Sequence, residues 1–521
     1  MEQMTDDERY AAIRARDARF DGAFFTCVRS TGIFCRPSCP ARTPARANVV
    51  FAPSAAAAVE AGFRACKRCG PAAVPGSPAD DPAGDLARRA LRLIDAGALD
   101  GGSVPGLAAR LAVSERTLHR ALLAQTGAGA LGHARMRRAR RAHELVLETD
   151  LPLSRVAFAA GFGSERQLHD TFSRIYGHAP STVRERAGRR RTVAGAAAPA
   201  ARDEAASSPG ARLQGRLAVR LPFDGQGLAR WFAARAVPGV DEVDGATWRR
   251  AVRLPHGPGV LEVELAPALG PSGSEGTSHL PLSVRLADVR DYGAAVALAR
   301  SLLDLDADPV GIDAALRRGL PVLAPLVAAR PGVRLPGLPS LAEALMWAVV
   351  GQQITSGQAR DQIARATDLV GEELPEQLRS GTVHRLGPTP SAAAASAQDW
   401  YRGPRARRSA LVTALTETPD ADALTPDELE AAVLALPGVG PWTAGYALLR
   451  GTRATDLAPP RDVALLAAAR DLGLGLAQTL DELPPALVPA APWRSYASLH
   501  LWHHASSLPP ARRSPGRTRS A

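Results

Sequence analysis

The sequence predicts a multidomain α+β chain. A small cysteine-braced α/β module should come first, then an all-α domain, an antiparallel-sheet α+β domain and a second all-α domain. Three observations carry this. All five cysteines lie before residue 70. Hydrophobic periodicity is helical over 86–190, alternates over 213–289 and is helical again over 341–507. A glycine hairpin at Gly438 and Gly440 is followed, 22 residues after Gly440, by Asp462 ahead of an apolar run.

At 521 residues the chain is long enough for three or four domains, each with its own core. Its formal charge of +11 favours an anionic partner, nucleic acid being the commonest, although an Arg-rich composition alone also yields a basic chain. No stretch approaches 18 uninterrupted apolar residues, so no membrane partner is expected. A soluble protein of the reducing cytoplasm, associated with the nucleoid, is the expectation.

The first module spans 1–78. Cys35 and Cys39 form a C-x3-C pair, and after 26 residues Cys66 and Cys69 form a C-x2-C pair. Short pairs let two thiolates reach one ion from a tight turn, and two pairs complete a tetrahedral zinc shell. Two disulfides are the alternative; they suit a small secreted domain, and no secretory signal pattern precedes these residues. Cys27 reads as a buried strand residue or a spare ligand. The runs Phe20-Asp21-Gly22-Ala23-Phe24, Arg29-Ser30-Thr31-Gly32-Ile33-Phe34-Cys35-Arg36-Pro37-Ser38-Cys39 and Ala61-Gly62-Phe63-Arg64-Ala65-Cys66-Lys67-Arg68-Cys69 closely resemble the N-terminal domain of the Ada adaptive-response family. That resemblance implies one Zn2+, held by Cys35, Cys39, Cys66 and Cys69. It also implies that Cys35 accepts a methyl group from a DNA methylphosphotriester, and Arg42, Lys67 and Arg68 are the expected DNA contacts.

Val74-Pro75-Gly76-Ser77-Pro78-Ala79-Asp80-Asp81-Pro82 reads as a linker. Over 83–190 two helix–turn–helix motifs are expected. Leu107, Leu111, Val113, Leu118 and Leu122 form the apolar face of one, with Ser114 as a helix cap. Val156, Ala160, Phe162, Leu168 and Phe172 repeat the pattern around Gly161, with Ser164 as the cap. The ending Tyr176-Gly177-His178-Ala179-Pro180-Ser181-Thr182-Val183-Arg184 resembles the AraC family, whose domain pairs two such motifs. Arg116, His119 and Arg120, then Arg166 and His169, are the expected major-groove residues. Arg135, Arg137, Arg138, Arg140 and Arg141 crowd the connecting helix. Such a run is ordinarily a solvated face, but between two recognition helices phosphate contact is the better reading.

A second linker is expected over 191–211, beginning at Arg189-Arg190-Arg191. Alternation at Leu217, Val219 and Leu221, and at Leu282, Val284 and Leu286, predicts strands in the module 212–328, with a loop from Gly270 to Ser278. The last module, 329–507, centres on Leu436-Pro437-Gly438-Val439-Gly440-Pro441-Trp442-Thr443-Ala444. The amides of Gly438 and Gly440 can approach a phosphate closely, though such a run alone fits any connection between helices. Asp462 by itself reads as a helix N-cap.

Hairpin and carboxylate together resemble helix–hairpin–helix DNA glycosylases. Ala329-Arg330-Pro331-Gly332-Val333-Arg334-Leu335-Pro336-Gly337, Val350-Gly351-Gln352-Gln353 and Pro492-Trp493-Arg494-Ser495-Tyr496-Ala497-Ser498-Leu499-His500-Leu501-Trp502 narrow the resemblance to the AlkA-like alkylbase glycosylases, which carry a mixed N-terminal sheet. It implies an aromatic base pocket of Trp442, Tyr446 and Trp502, whose alternative is plain core packing. It also implies Asp462 as the residue that stabilises the positive sugar. Gln353 stands where the family has a wedging Leu, and Arg461 replaces an acidic neighbour of the Asp, a change expected to strengthen phosphate contact or lower the carboxyl pKa. Asp399-Trp400-Tyr401-Arg402 replaces a Gly-rich turn. The hairpin has no Lys for a Schiff base, no cysteine follows Cys69 to hold an iron–sulfur cluster, and no Pro-Cys-His-Arg motif is present.

The whole reads as an alkylation-damage response protein acting on double-stranded DNA, both alkylated DNA and a promoter operator. It is expected as a monomer, with RNA polymerase as a further candidate partner and 508–521 as a disordered basic tail. One alternative is a transcription factor with structural zinc and an inactive glycosylase fold. Another is a repair enzyme whose helix–turn–helix pairs serve only nonspecific retention.

Overall fold

A computed structural model describes residues 4–16, 20, 24–39, 41–66, 68–69, 71, 82–95, 97–100, 102–148, 151–193, 212–267, 276–474 and 479–509. The chain divides into two compact units, Met1–His133 and Ala134–Ala521.

In the first unit a helix, Asp6–Ala15, opens with a Thr5–Glu8 capping box that satisfies amides at its start. Four strands follow: β1 (Phe25–Val28), β2 (Ile33–Cys35), β3 (Val49–Ala52) and β4 (Arg64–Ala65). Their order is β3-β1-β2-β4. β1 pairs antiparallel with β2 and β3, whereas β2 and β4 run parallel. That parallel pairing sets Phe34 opposite Ala65, and the Cys66 amide donates to the Phe34 carbonyl at 2.9 Å. The two cysteine pairs, far apart in sequence, therefore emerge at the same end of the sheet. The core is small: Phe25, Cys27, Phe34, Ala52 and Ala58 form one cluster, with Phe25 and Phe34 edge to face at 5.9 Å. Cys27 is a buried strand residue, 1% exposed.

The first helix–turn–helix joins Val104–Arg110 to Glu115–Thr126, and Ser114 caps the second helix by accepting the Thr117 amide. Leu107, Leu111, Leu118 and Leu122 are all buried. In the second unit Leu153–Ala159 and Glu165–Tyr176 repeat the motif, and the Ser164 side chain accepts the Gln167 amide. The two turns differ at one point. Gly161 has φ +84°, whereas Ala112, at the matching place, is driven to +55°. The helix Pro180–Val193 continues past residue 190, so the Arg run expected to open the second linker extends a helix instead. Arginine is a good helix former, and nothing at Arg189-Arg190-Arg191 breaks the ladder. Residues 194–211, the rest of that linker, lie outside the described residues, as do 72–81 and 510–521.

Strands β5 (Arg212–Leu221), β6 (Asp241–Asp244), β7 (Thr247–Leu254), β8 (Gly257–Glu264) and β9 (Gly276–Leu286) form a sheet in the order β5-β9-β8-β7-β6. Every pairing is antiparallel, as the apolar–polar alternation predicts, and the mixed sheet implied by the family resemblance is not seen. β6, β7 and β8 are joined by turns of only a few residues, too short for a parallel crossover. β9 begins at Gly276, so the last three residues of the expected loop belong to the sheet; 268–275 lie outside the described residues.

The helices of the last module pack around Leu341–Val350, which is buried on almost every side. A single hydrophobic cluster runs from the sheet (Leu217, Val284) into the helices Val463–Asp471 and Arg494–Ser507 (Leu465, Leu501), so these two modules share a core. Arg334, 1% exposed, ties the joint by donating to the carbonyls of Gly332 and Arg220. The segment Asp399–Arg402 has a structural account: Trp400 is buried, its indole N–H donates to the Ala393 carbonyl at 3.0 Å, and the Arg402 amide donates to Gln362.

Candidate functional site

The four sulfurs of Cys35, Cys39, Cys66 and Cys69 lie within 4.8 Å of one another. A tetrahedral Zn2+ with bonds of about 2.3 Å separates its sulfurs by about 3.8 Å, so the cluster fits one ion with little movement. Crowded thiols without a cation compete for protons. Hydrogen bonding with Cys39 pushes the Cys35 thiol far up, and the same bond pulls Cys39 down to about 2. Cys69 accepts the Arg36 amide at 3.4 Å, and Cys39 is hydrogen-bonded by the Ala41 backbone. Cys35, Cys39, Cys66, Arg36 and Arg42 line a cleft of about 280 Å³. Arg42 and Arg68 are exposed at this end of the unit, while Lys67 lies outside the described residues.

On the first motif Arg116, His119 and Arg120 are all exposed on Glu115–Thr126. On the second, Arg166 and His169 are exposed, each 3.9 Å from Asp170, which lowers the net positive charge of that face. Of the connecting-helix arginines, Arg141 departs from the expected phosphate role. Its guanidinium lies against Gly293, where a Cβ would overlap it, and it lines a cleft with Glu144 and Tyr292.

In the last module the chain turns at Leu436–Gly440 between helices Pro426–Leu434 and Pro441–Thr452. Gly438 has φ +76°, and a Cβ there would overlap Ala410, so this position requires glycine on both counts. Gly440 has an ordinary φ of −86° and open space around it. Both glycines are exposed. Gln352 braces the turn, its amide donating to the Gly438 carbonyl at 3.2 Å and to Thr443 at 2.9 Å. Next to it Gln353 is exposed at φ +62°, with its side-chain oxygen held by Arg407 at 3.0 Å.

Trp442 and Tyr446 stand one turn apart on one helix and stack at 5.4 Å and 15°. Trp502, from Arg494–Ser507, meets Tyr446 nearly edge on at 6.1 Å. The three expected pocket residues are thus together. Asp462 caps Val463–Asp471: one carboxylate oxygen accepts the Leu465 amide at 2.9 Å and the other accepts the Trp442 indole N–H at 2.8 Å. It is therefore both the cap and a group fixed beside the aromatic pocket. Arg461, by contrast, turns away at φ +59° and pairs with Asp481 at 2.9 and 3.1 Å. Its guanidinium is paired with Asp481 rather than with the Asp462 carboxylate.

Three neighbours of the pocket escaped sequence reasoning. Trp231, from the helix Gly225–Ala233, lies 5.9 Å from Trp502. Arg235 lies 3.7 Å over the Trp231 ring. Arg450, 2% exposed, donates to the Tyr446 hydroxyl at 2.8 Å and to the Pro336 carbonyl. Arg450 stands at the i+4 position from Tyr446, a helical spacing that offered the only signal. Trp231 and Arg235 reach the pocket from another module, and no local pattern marks them.

A thiolate zinc module, paired helix–turn–helix motifs and a capped carboxylate beside stacked aromatic rings define the class: a DNA-directed regulator fused to a helix–hairpin–helix glycosylase fold. Comparison with known proteins gives the same division. The family profile "Metal binding domain of Ada" matches residues 8–72, "Helix-turn-helix domain" 107–186 and "AlkA N-terminal domain" 214–340. A Mycobacterium tuberculosis protein named "Probable bifunctional transcriptional activator/DNA repair enzyme AlkA" is 40% identical over 97% of this chain and 99% of its own length. The chain belongs to this family of bifunctional transcriptional activator/DNA repair enzymes. The DNA-3-methyladenine glycosylase 2 of Escherichia coli is 32% identical over 54% of the chain and 94% of its own length. The Ada protein of the same organism is 41% identical over 27% of the chain and 38% of its own length. The four-cysteine cluster is a zinc site. No helix among the described residues is long and apolar enough to cross a membrane.

Proposed function

We propose that the protein excises alkylated bases of the 3-methyladenine type from double-stranded DNA, and that it separately takes methyl groups from DNA methylphosphotriesters to switch on its own DNA-binding domain. The observation that carries the first activity is Asp462, fixed by Trp442 at the edge of the aromatic pocket. A base flipped from the duplex enters between Trp442, Tyr446 and Trp502, while the hairpin amides at Gly438 and Gly440 grip a phosphate and Gln353 fills the vacated stack. As the C1′–N bond breaks, the ionised Asp462 stabilises the positive sugar and guides the attacking water. Without a Lys in Pro441-Trp442-Thr443 the enzyme is monofunctional and leaves the abasic strand intact.

For the second activity, Cys35 is the acceptor. Cys35, Cys39 and Cys66 all line the cleft, but Cys66 is buried, and Cys39 and Cys69 each take a backbone hydrogen bond that draws off thiolate charge. Zinc keeps Cys35 deprotonated yet nucleophilic. The new C–S bond forms as the methyl C–O bond breaks, and that electron pair leaves with the phosphate as a diester anion. The four-thiolate zinc centre goes from about −2 to −1, repulsion against DNA falls, and Arg42, Lys67 and Arg68 engage the backbone. Arg116, His119, Arg120, Arg166 and His169 then read an operator. The protein acts as a monomer in the cytoplasm, at the chromosome, and RNA polymerase is its partner at the promoter.

The test is to incubate the full chain with methylated duplex. It should release 3-methyladenine without nicking the abasic strand, and one methyl mass should appear on the peptide holding Cys35, with operator affinity rising alongside. No base release would favour a regulator with an inactive glycosylase fold. A methyl on Cys66 or Cys69, or unchanged affinity, would defeat the switch.

A further inference from the structure

The base pocket holds two cations that its expected chemistry does not use. Arg450 is buried behind Tyr446 and donates to its hydroxyl at 2.8 Å. Arg235, stacked on Trp231 and reaching Ser356 at 3.5 Å, adds a second positive charge that acts on the same hydroxyl. Among the described residues neither guanidinium has a carboxylate within ion-pairing distance. Buried cations ordinarily come paired, because an uncompensated charge is costly to desolvate. Here the group both of them address is a phenol.

Two consequences follow from elementary electrostatics. A positive pair beside the pocket repels a base that is itself cationic, such as an N7-alkylated guanine, and offsets the attraction of the ring faces for it. A phenol oxygen that accepts from one guanidinium, with a second close by, keeps its own proton free to donate, and the anion left after donation is stabilised where it forms. A cationic alkylpurine leaves as a neutral molecule and needs no proton. A neutral base leaves as an anion unless it is protonated.

We propose that Tyr446, polarised by Arg450 and Arg235, is the proton donor to departing bases that are neutral when intact, and that this extends the pocket beyond cationic bases of the 3-methyladenine type. This rests on the glycosylase reading of the same site. As the C1′–N9 bond of the flipped nucleotide breaks, its electron pair stays with the base, and the Tyr446 proton moves to a ring nitrogen. Water adds to C1′ and gives up a proton to solvent, and the tyrosinate regains one from solvent. Arg450 and Arg235 act through Tyr446 and are positioning residues.

The charged groups acting on the phenol come from two elements: Arg450 from its own helix and Arg235 from the end of Gly225–Ala233. Trp502, from Arg494–Ser507, is neutral, and Asp462 is in contact with Trp442, which stacks on the phenol ring. Burial alone would raise the Tyr446 pKa, but the two guanidiniums outweigh it and hold it below its usual range. Donation therefore fails as pH rises through a value lower than the ordinary phenol pKa of about 10.

The experiment uses the full chain in single turnover on duplexes carrying hypoxanthine, a neutral purine, or 7-methylguanine, a cationic one, from pH 6 to pH 9.5. In wild type, hypoxanthine release should fall at the alkaline end while 7-methylguanine release does not. Tyr446→Phe should lower the hypoxanthine to 7-methylguanine rate ratio tenfold or more. Arg235→Gln, at a half-buried position, should lower that ratio and move the alkaline fall to higher pH. Equal losses on both bases in Tyr446→Phe, superimposable pH profiles, or release of 7-methylguanine alone would overturn the proposal. Release of neither base by wild type would overturn the glycosylase reading and this proposal with it.

Discussion

The indole N–H of Trp442 donates to the Oδ2 atom of Asp462 at 2.8 Å, across twenty residues of chain, while Oδ1 caps the next helix. One carboxylate is thus shared between a helix cap and the edge of the aromatic cluster. The cap anchors the side chain and the indole aims its free edge.

Cap and charge are tested by substitution. Asp462→Asn can keep the cap with its one oxygen, but its amide nitrogen cannot accept the Trp442 indole N–H, so melting stability should fall by about 1 kcal/mol. Base release should fall on the order of a hundredfold or more, since the charge that stabilises the sugar is gone. Asp462→Ala should add a loss of about 1 kcal/mol in melting stability. A single-turnover assay on alkylated duplex beside a melting curve reads both. A variant Asn enzyme keeping more than about a third of wild-type turnover would reduce Asp462 to a cap.

Trp442→Phe keeps an aromatic ring against Tyr446 but removes the donor to Asp462. Outer hydrogen bonds that orient a reacting group are typically worth roughly ten- to a hundredfold, and a drop near the lower figure is expected. The measurement is the same base-release rate, with duplex affinity followed separately. An unchanged rate would show that Asp462 is held by its cap alone.

The zinc module should depend on its metal. Its cores are small clusters such as Phe25, Cys27, Phe34, Ala52 and Ala58. Metal binding in such modules is largely folding free energy. The full chain should carry one zinc by elemental analysis. A strong chelator should open residues 24–71 to protease while leaving the helices of 341–507 protected. Retention of the protease-resistant N-terminal module after complete zinc removal would contradict this.

Two buried histidines make the C-terminal unit acid-sensitive. Burial, reinforced by neighbouring His503 and Arg330, depresses His500 to about 3, and burial with Arg330 and Arg230 does the same for His503. A depressed folded pKa gives stability that is complete above the unfolded value of about 6.5 and is lost as pH falls towards the folded one. At pH 5 each histidine should cost roughly 2 kcal/mol. Melting of the full chain from pH 7.5 to 5 should show the decline, and His503→Gln should remove about half of it.

Ala112 offers a stabilising change. Its φ of +55° carries a left-handed cost of roughly 1–2 kcal/mol that Gly161 avoids in the matching turn. Ala112→Gly should stabilise the first helix–turn–helix by about 1 kcal/mol, and Gly161→Ala should destabilise the second by a similar amount. Hydrogen exchange across 104–126 and 153–176 reads each motif separately.

Much of the site was legible because its chemistry is local in the chain. Two short cysteine pairs can hold an ion from their own turns, Ser114 and Ser164 sit where a helix needs a cap, and a Gly-Val-Gly turn constrains its own backbone. Asp462 was legible as a cap for the same reason. What could not be read was where long side chains end up. Arg461 was expected to strengthen phosphate contact or act on its neighbour Asp462, and no local rule pointed to its ion pair with Asp481. Arg141 was counted with a phosphate-facing run, yet it lies against Gly293.

Taken by itself, the sequence determined the zinc ligands and the paired helix–turn–helix motifs, because periodicity and spacing act over a turn or two of chain, whereas the grouping of Trp442, Tyr446 and Trp502 was implied only by the family resemblance. Only the tertiary structure decided the strand order of the sheet, the hydrogen bond between Trp442 and Asp462, and the placing of Trp231, Arg235 and Arg450 around Tyr446. These depend on packing between elements tens to hundreds of residues apart, where burial strengthens each charge and hydrogen bond, and no local rule records which elements will meet.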